Sequence, residues 1–147
     1  MAEMEDPLVG FKYGLDIGGK AVGYFTECSG LNIEYETVEH KIVNEKGVPV
    51  IIQQPGRIKY SDIVLKRGIT SNLDIWDWRK EIEEGKIDSA RVSGTVTMLS
   101  QDGNPLSLWH FERGWPSKVT GPQVKSDSNE YGVEEVTIVI ERLYRES

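Results

Sequence analysis

Cysteine is almost missing from this chain: its 147 residues include one, Cys28. That excludes an internal disulfide. Histidine is nearly as scarce, with only His40 and His110. No C-x-x-C, H-E-x-x-H or EF-hand pattern is present, so no metal is expected, structural or catalytic. No apolar run approaches the roughly 18 residues of a membrane helix, so stable insertion in a bilayer is not expected. Positive charge is also short. Lys and Arg number 17 against 24 Asp and Glu, for a formal net charge of −7. Phosphate contacts need a basic surface, so a stand-alone nucleic-acid binder is a poor reading. Met1 to Asp6 carry three acids and no basic residue, unlike a secretory signal peptide. The expectation is a soluble, acidic single domain made in the cytosol.

What is present suits one domain, residues 1–147, with residues 1–8 as a loose lead-in. A chain of this length buries about 70% of the surface its unfolded form exposes. Hydrophobic residues at 38% and charged residues at 28% fit neither a disordered nor a membrane chain. No linker divides the sequence and no repeat is visible. Fifteen glycines point to many tight turns.

Short apolar runs are punctuated by those glycines. Phe11–Ile17 and Ala21–Thr26 read as strands joined at Gly18-Gly19. Leu31–Glu36 alternates, with Leu31, Ile33 and Tyr35 on an expected buried face and Asn32, Glu34 and Glu36 on the wet one. Val48–Gln53 is β-branched and should end at Pro55-Gly56. In Ser61–Arg67, Ile63 and Leu65 face together. Ala90–Met98 sets Val92, Gly94, Val96 and Met98 against Arg91, Ser93, Thr95 and Thr97. Asp102-Gly103 is a turn, Leu106–Arg113 a strand, and Trp115-Pro116 a corner between strands. Val133–Leu143 closes the chain, with Val136, Ile138 and Ile140 on one face.

One helix interrupts the strands. Ser71 and Asp74 have capping-box spacing. Ile75, Trp78 and Ile82 form an apolar stripe, widened by Leu73 and Trp76. Gly85 ends it, giving a helix over residues 72–84. Glu81, Glu83 and Glu84 then sit at the negative pole of the helix dipole, where acids are mildly unfavourable. The fold class is mainly β: a small barrel or sandwich of about eight strands with one flanking helix.

Chemistry-bearing patterns are weak. Gly14 to Lys20 fits G-x-x-x-x-G-K, but Ala21 stands where Ser or Thr would hold magnesium and a strand follows instead of a helix, so this is a hairpin. Cys28 reads as a small buried thiol and both histidines as ordinary sheet residues. Glu34/Glu36 and Glu134/Glu135 read as solvated faces. The tryptophans, Trp76, Trp78, Trp109 and Trp115, read as core or interface anchors.

Thr37 to Gly56 is the informative stretch. It is long for a hairpin and has Gly47 and Pro49 at its tip. A ribbon projecting from a small domain is marginal alone. Its apolar residues, among them Val43, Val48, Val50, Ile51 and Ile52, then need a covering partner. The alternative is that it folds back on its own domain.

Five segments in register resemble the contractile tail tube family. Cys28-Ser29-Gly30-Leu31 with Tyr35-Glu36 resembles its "E-x-S-G-L…E" signature. Pro55-Gly56, Tyr60 and Leu65-Lys66-Arg67-Gly68 resemble "P-G…Y…L-K-R-G". Asn72 to Trp78 is similar to its "L-x-x-W" helix. Gly114 to Lys118 and Ser128-Asn129-Glu130 resemble "W-P-x-K" and "S-N-E". Cys28 departs from a more usual acidic or aliphatic residue, and the tip over residues 43–50 is less glycine-rich than in many relatives.

The resemblance implies a non-enzymatic structural subunit without cofactors. Family members form hexameric rings that stack into a hollow inner tube, in contractile phages, extracellular injection systems and, more distantly, type VI secretion. The implied partners are further copies of the chain, a sheath protein, baseplate or spike and tube-terminating proteins, and cargo or DNA in the bore. The subunit would leave the bacterial cytoplasm only within a particle. Val43, Val48, Val50, Ile51 and Ile52 become the inter-subunit arm. Asn32, Glu34, Glu36, Arg91, Ser93, Thr95 and Thr97 become candidates for the lumen, and Glu81, Glu83 and Glu84 for the sheath-facing surface. The sequence leaves phage tail against injection system open, and main tube subunit against initiator ring. Two other classes compete: a monomeric β-barrel module that binds a ligand or protein, and an enzyme with carboxylate chemistry.

Overall fold

The computed structural model describes residues 12–68, 73–121 and 133–146. The lead-in over residues 1–8, Phe11, the proposed cap Ser71, Asn72 and the Ser128-Asn129-Glu130 motif lie outside them. Ten strands and two helices are found among the described residues. In chain order they are β1 (Lys12–Ile17), β2 (Lys20–Phe25), β3 (Glu27–Ser29), β4 (Ile33–Val43), β5 (Pro49–Tyr60), β6 (Ile63–Gly68), α1 (Asp74–Glu83), α2 (Ile87–Ala90), β7 (Val92–Leu99), β8 (Pro105–Thr120), β9 (Val133–Val139) and β10 (Arg142–Arg145).

Eight strands form one antiparallel system in the order β2-β1-β7-β8-β9-β6-β3, with β10 added beside β8. No ladder joins its ends, β2 and β3, so the sheet does not close into a barrel. The arrangement is a sandwich in which β8 serves both layers. The first part of β8 pairs with β7 and β10, and Trp115–Thr120 pairs with β9. The expected corner at Trp115-Pro116 therefore lies inside one strand rather than between two. The ladder slips beside it, between Pro116 and Lys118. A second bulge opposite Val92 and Gly94 puts Arg113 at a φ of 53°. That value is uncommon for a side-chain-bearing residue, and the Arg113 Nε donates to Glu141 across the corner.

The core lies between the layers. Leu15, Val22, Phe25, Val96, Phe111 and Leu143 meet Ile63, Leu65, Val136 and Ile138. Full burial of such side chains stabilises by about 1.5–3 kcal/mol each. The alternations read at Ile63/Leu65 and Val136/Ile138/Ile140 are thus core faces. Helix α1 covers one end with Ile75 and Trp78, and the Trp78 indole N–H donates to the Ala90 carbonyl of α2 at 2.7 Å.

Several expectations are corrected. Ala90 belongs to the short helix α2, not to a strand, and Arg91 caps that helix. Residues 133–143 form two strands, because the chain turns at Ile140 and Glu141. Leu73 does not widen the apolar stripe; it precedes α1 and is exposed. Strand β5 continues through Pro55-Gly56 to Tyr60, with Pro55 opposite Thr37 and a bulge at Gly56 and Arg57. Ile33 and Tyr35 are not buried. Glu134 is not on a solvated face; it is buried.

Local chemistry explains the turns. Gly18 and Gly19 both have positive φ, and Ile17 pairs with Lys20, as a two-residue hairpin loop of that hand requires. Helix α1 ends at Gly85 with Lys86 N–H bonded to Glu81 O at 2.9 Å and Gly85 N–H to Ile82 O at 3.0 Å, a Schellman pattern. At Gly30 a Cβ would lie 1.8 Å from the Asp62 carbonyl oxygen. Only glycine permits that approach between the Cys28–Leu31 segment and the start of β6.

Candidate assembly surfaces

Strands β4 and β5 form a two-stranded sheet of their own, outside the eight-stranded system. Every residue of β4 is exposed. Twelve residues of β5 span about 40 Å at roughly 3.3 Å each. The tip turn is organised by Asn44, whose Oδ1 accepts from the Lys46 and Val48 backbone N–H groups, both at 2.9 Å.

Four of the five expected arm residues are exposed: Val43 at 66%, Ile51 at 58%, Val48 at 50% and Ile52 at 38%, with Val50 half-buried. They do not share one face. Val50 and Ile52 pair with Ile42 and His40, Ile51 pairs with Lys41 on the other face, and Val48 sits in the turn. Sequence reasoning missed Ile33, Tyr35 and Ile58, which are exposed near the ribbon's base. The change in parity of the apolar residues of β4, from Ile33 and Tyr35 to Val38 and Ile42, was the available signal.

The lumen candidates divide into two groups. Glu34 and Glu36 lie on β4, with Asn32 just before it. Lys59 sits 3.1 Å from Glu36. Ser93, Thr95 and Thr97 lie on β7, opposite the face that buries Val96. Arg91 is outside that strand. The Thr95 hydroxyl contacts His110 Nδ1 at 3.1 Å, and His110 Nε2 meets Glu146 at 3.0 Å, with the Tyr144 ring 5.1 Å away. Ser93, Thr95, His110 and Tyr144, with Asp16, line an open groove on the outer face of that layer.

The acids at the end of α1 are not all unpaired. Glu83 meets Arg79 at 3.0 Å and Glu84 meets Lys86 at 3.9 Å. Glu81 faces a groove shared with Lys20, Asp74 and Asp77. Burial pushes the Cys28 thiol up to about 12, which removes it as a nucleophile at neutral pH. The neighbouring Tyr13 is raised too, by burial and then by Cys28.

Beneath these surfaces lies a buried polar cluster. Arg67 and Glu134 pair at 3.0 Å. Glu134 also accepts from the Trp76 indole at 2.6 Å, and Arg67 donates to the Val22 carbonyl at 3.4 Å. The guanidinium carbon lies 4.8 Å from the Phe25 ring centre. The cluster ties α1 to β2, β6 and β9 and fixes the side of the sandwich that carries the acidic helix end.

The fold is shared with several solved structures. The chain is similar to one from the sheath–tube complex of the extracellular contractile injection system PVC in its extended state: 23% identity, TM-score 0.73, covering 99% of this chain and 93% of that one. It is similar to one from the tube-terminating cap of the anti-feeding prophage: 21% identity, TM-score 0.76, covering 100% and 95%. It is also similar to Hcp1 from Salmonella typhimurium: 10% identity, TM-score 0.59, covering 92% and 85%. At these identities the likeness is one of fold. No curated protein sequence matches it. The model of the family described as T4-like virus tail tube protein gp19 matches residues 9–144. That match spans nearly the whole chain, and the protein belongs to this tail tube family.

Proposed function

We propose that this tail tube protein closes into rings of six that stack into a hollow rod, the inner tube of a contractile injection machine. The β4–β5 ribbon is the arm that holds neighbouring copies. The observation that carries this reading is the ribbon itself. It stands as a separate two-stranded sheet with Tyr35, Val43 and Ile51 more than half exposed. A ribbon of that kind is marginal in water alone, and its open edges invite pairing with another chain. A contact that repeats head to tail and closes gives a ring.

The role is structural and not enzymatic. The matched structures come from a sheath–tube complex, a terminating cap and a baseplate, which supports a sheath protein, a baseplate or spike protein and a terminating protein as partners. Glu34, Glu36, Ser93, Thr95 and Thr97, with Asn32 and Arg91, are the candidates for the bore. Polar, small and acidic side chains let cargo or DNA slide, since an acidic wall repels phosphate. Glu81, Glu83 and Glu84 are the candidates for the sheath side. The subunit is made in the bacterial cytoplasm and acts within a tail-like particle.

Negative-stain electron microscopy of the purified full chain tests the reading. Six-fold rings or rods are expected. A strict monomer of 16.6 kDa at every concentration would sink it and favour the monomeric binding module.

A further inference from the structure

We propose that His110 is a proton-operated clasp: its imidazolium form fastens the end of the chain, Tyr144 to Glu146, to the large sheet, and its neutral form holds that end less tightly. The clasp works within one chain, so it stands or falls apart from the tube reading.

Its geometry is one straight row of side chains. Asp16 on β1 lies opposite Thr95 on β7, Thr95 opposite His110 on β8, and His110 opposite Tyr144 on β10. Residues directly opposite in antiparallel ladders share a face and sit within reach of each other. Strand β2 adds only Ala21, opposite Asp16. The row crosses the layer on its outer side, along the open groove.

His110 is held from both sides of its ring. Thr95 Oγ1 lies 3.1 Å from Nδ1, and Glu146 Oε1 lies 3.0 Å from Nε2. Glu146 follows the last residue of β10, and its backbone N–H donates to the Leu108 carbonyl at 2.8 Å. Leu143 anchors the strand in the core beside Phe111. Beyond Leu143 the side-chain hold on this face comes from the imidazole.

The partners decide where the protons sit. A carboxylate only accepts, so Nε2 carries its hydrogen toward Glu146 in both charge states. In the neutral ring Nδ1 is the acceptor, and the Thr95 hydroxyl donates to it. A proton taken from water onto Nδ1 reverses that bond, and Nδ1–H then donates to Thr95 Oγ1. The freed hydroxyl hydrogen turns to the next acceptor along the row, the Asp16 carboxylate. One proton thus redirects hydrogen bonds across β8, β7 and β1.

The charged groups around the ring are mostly acids. The carboxylates are Asp16 from β1, Glu112 from β8 and Glu146. From β10 come the Tyr144 phenol and one cation, Arg142, which lies 2.9 Å from Glu112 and 5.0 Å from the Tyr144 ring centre. Strand β7 contributes no charge, only Ser93, Thr95 and Thr97. Arg145 lies over Trp109, which points to the other side of the strand from His110. An imidazolium in this setting turns the contact with Glu146 into an ion pair, and a hydrogen bond between charged partners is the shorter and stronger kind. Glu146 is 59% exposed, so solvent keeps the gain small.

Hydrogen exchange of the full-length protein, read by mass spectrometry, tests the clasp. Rates are corrected for the intrinsic dependence of amide exchange on pH. Histidine changes charge between about pH 5 and 8, so the two ends of that range are compared. Amides of residues 144–146 are expected to be about two- to five-fold better protected at the acidic end. His110→Gln and Glu146→Gln, the second of which keeps size and removes charge, are each expected to abolish the difference. Equal protection of the unmodified protein at both ends, or a difference that survives both substitutions, overturns the proposal. Should His110→Gln fail to fold by circular dichroism, Glu146→Gln at the exposed chain end decides alone. Nitrogen NMR of histidine-labelled protein checks the relay: at the alkaline end His110 is expected to carry its hydrogen on Nε2, and a hydrogen on Nδ1 refutes it.

Discussion

Arg67 on β6 and Glu134 on β9 face each other across their ladder and form an ion pair at 3.0 Å, with 4% and 5% of their side chains exposed. They extend the stripes Ile63-Leu65 and Ile138-Val136 and end the core with charge. Removing one partner of a buried pair leaves the other charge uncompensated, at a cost of about 3–5 kcal/mol. Glu134→Ala is expected to lose that much in urea unfolding. The double replacement Arg67→Met with Glu134→Leu is expected to be far milder. Equal losses would show that the pair is not the source.

Phe111 lies over two glycines. A Cβ at Gly94 would meet its Cζ at 2.3 Å, and one at Gly114 would meet its Cε1 at 2.4 Å. Gly94→Ala and Gly114→Ala are each expected to destabilise by about 1–3 kcal/mol through overpacking. Phe111→Leu in the Gly94→Ala background should recover part of the loss, so the pair will be non-additive in thermal melts.

Burial raises the Cys28 thiol from 9.0 to about 12. A group raised by folding contributes stability that is present below its unfolded pKa and lost as pH climbs through the folded one. Native protein at pH 8 should therefore resist alkylation by iodoacetamide, and denatured protein should label rapidly. Native stability should fall between pH 9 and 12, less so in Cys28→Ser. Rapid labelling of the native state would contradict the burial.

Proline at Val50 or Ile52 removes a backbone donor from the β4–β5 ladder. That ladder forms the separate two-stranded ribbon and not the eight-stranded sheet. Val50→Pro with Ile52→Pro is expected to abolish tubes while circular dichroism still reports a folded chain. Normal tubes by electron microscopy would refute the arm's role.

Charge reversal of Glu81, Glu83 and Glu84 to Lys should weaken binding of a sheath protein, most clearly at low salt, where exposed charges are least screened. Binding that is unchanged from low to high salt would place the sheath contact elsewhere.

Much of this fold was legible because alternation is a property of the pleat. Ile63 and Leu65, and Val136 and Ile138, announce a core face from sequence alone. The same alternation misled at Leu31–Glu36. Period two shows that a strand has two faces but not what covers either, and β4 stands in a free ribbon. Glu134 was hidden for a related reason. An acid beside another acid, Glu135, looks solvated until Arg67 and Trp76 are brought to it from 67 and 58 residues away. Pro55-Gly56 reads as a stop because proline cannot donate to a ladder, yet β5 runs on past it, with Pro55 opposite Thr37 and a bulge at Gly56 and Arg57. The β4–β5 ribbon was visible as a length of β-branched sequence, whereas its one-residue slip shows only in the pairing.

The passage of β8 through both layers has a mechanical side. Its sixteen residues make one covalent member shared by two sheets, like a beam built into two walls. Force applied to either sheet crosses to the other along main-chain bonds, without relying on packed side chains or a connecting loop. The layers cannot slide past each other unless either the β8–β9 ladder or the β7 and β10 ladders give way. A subunit joined in this way bears load as a single stiff block, and a stack of them would push as a rod.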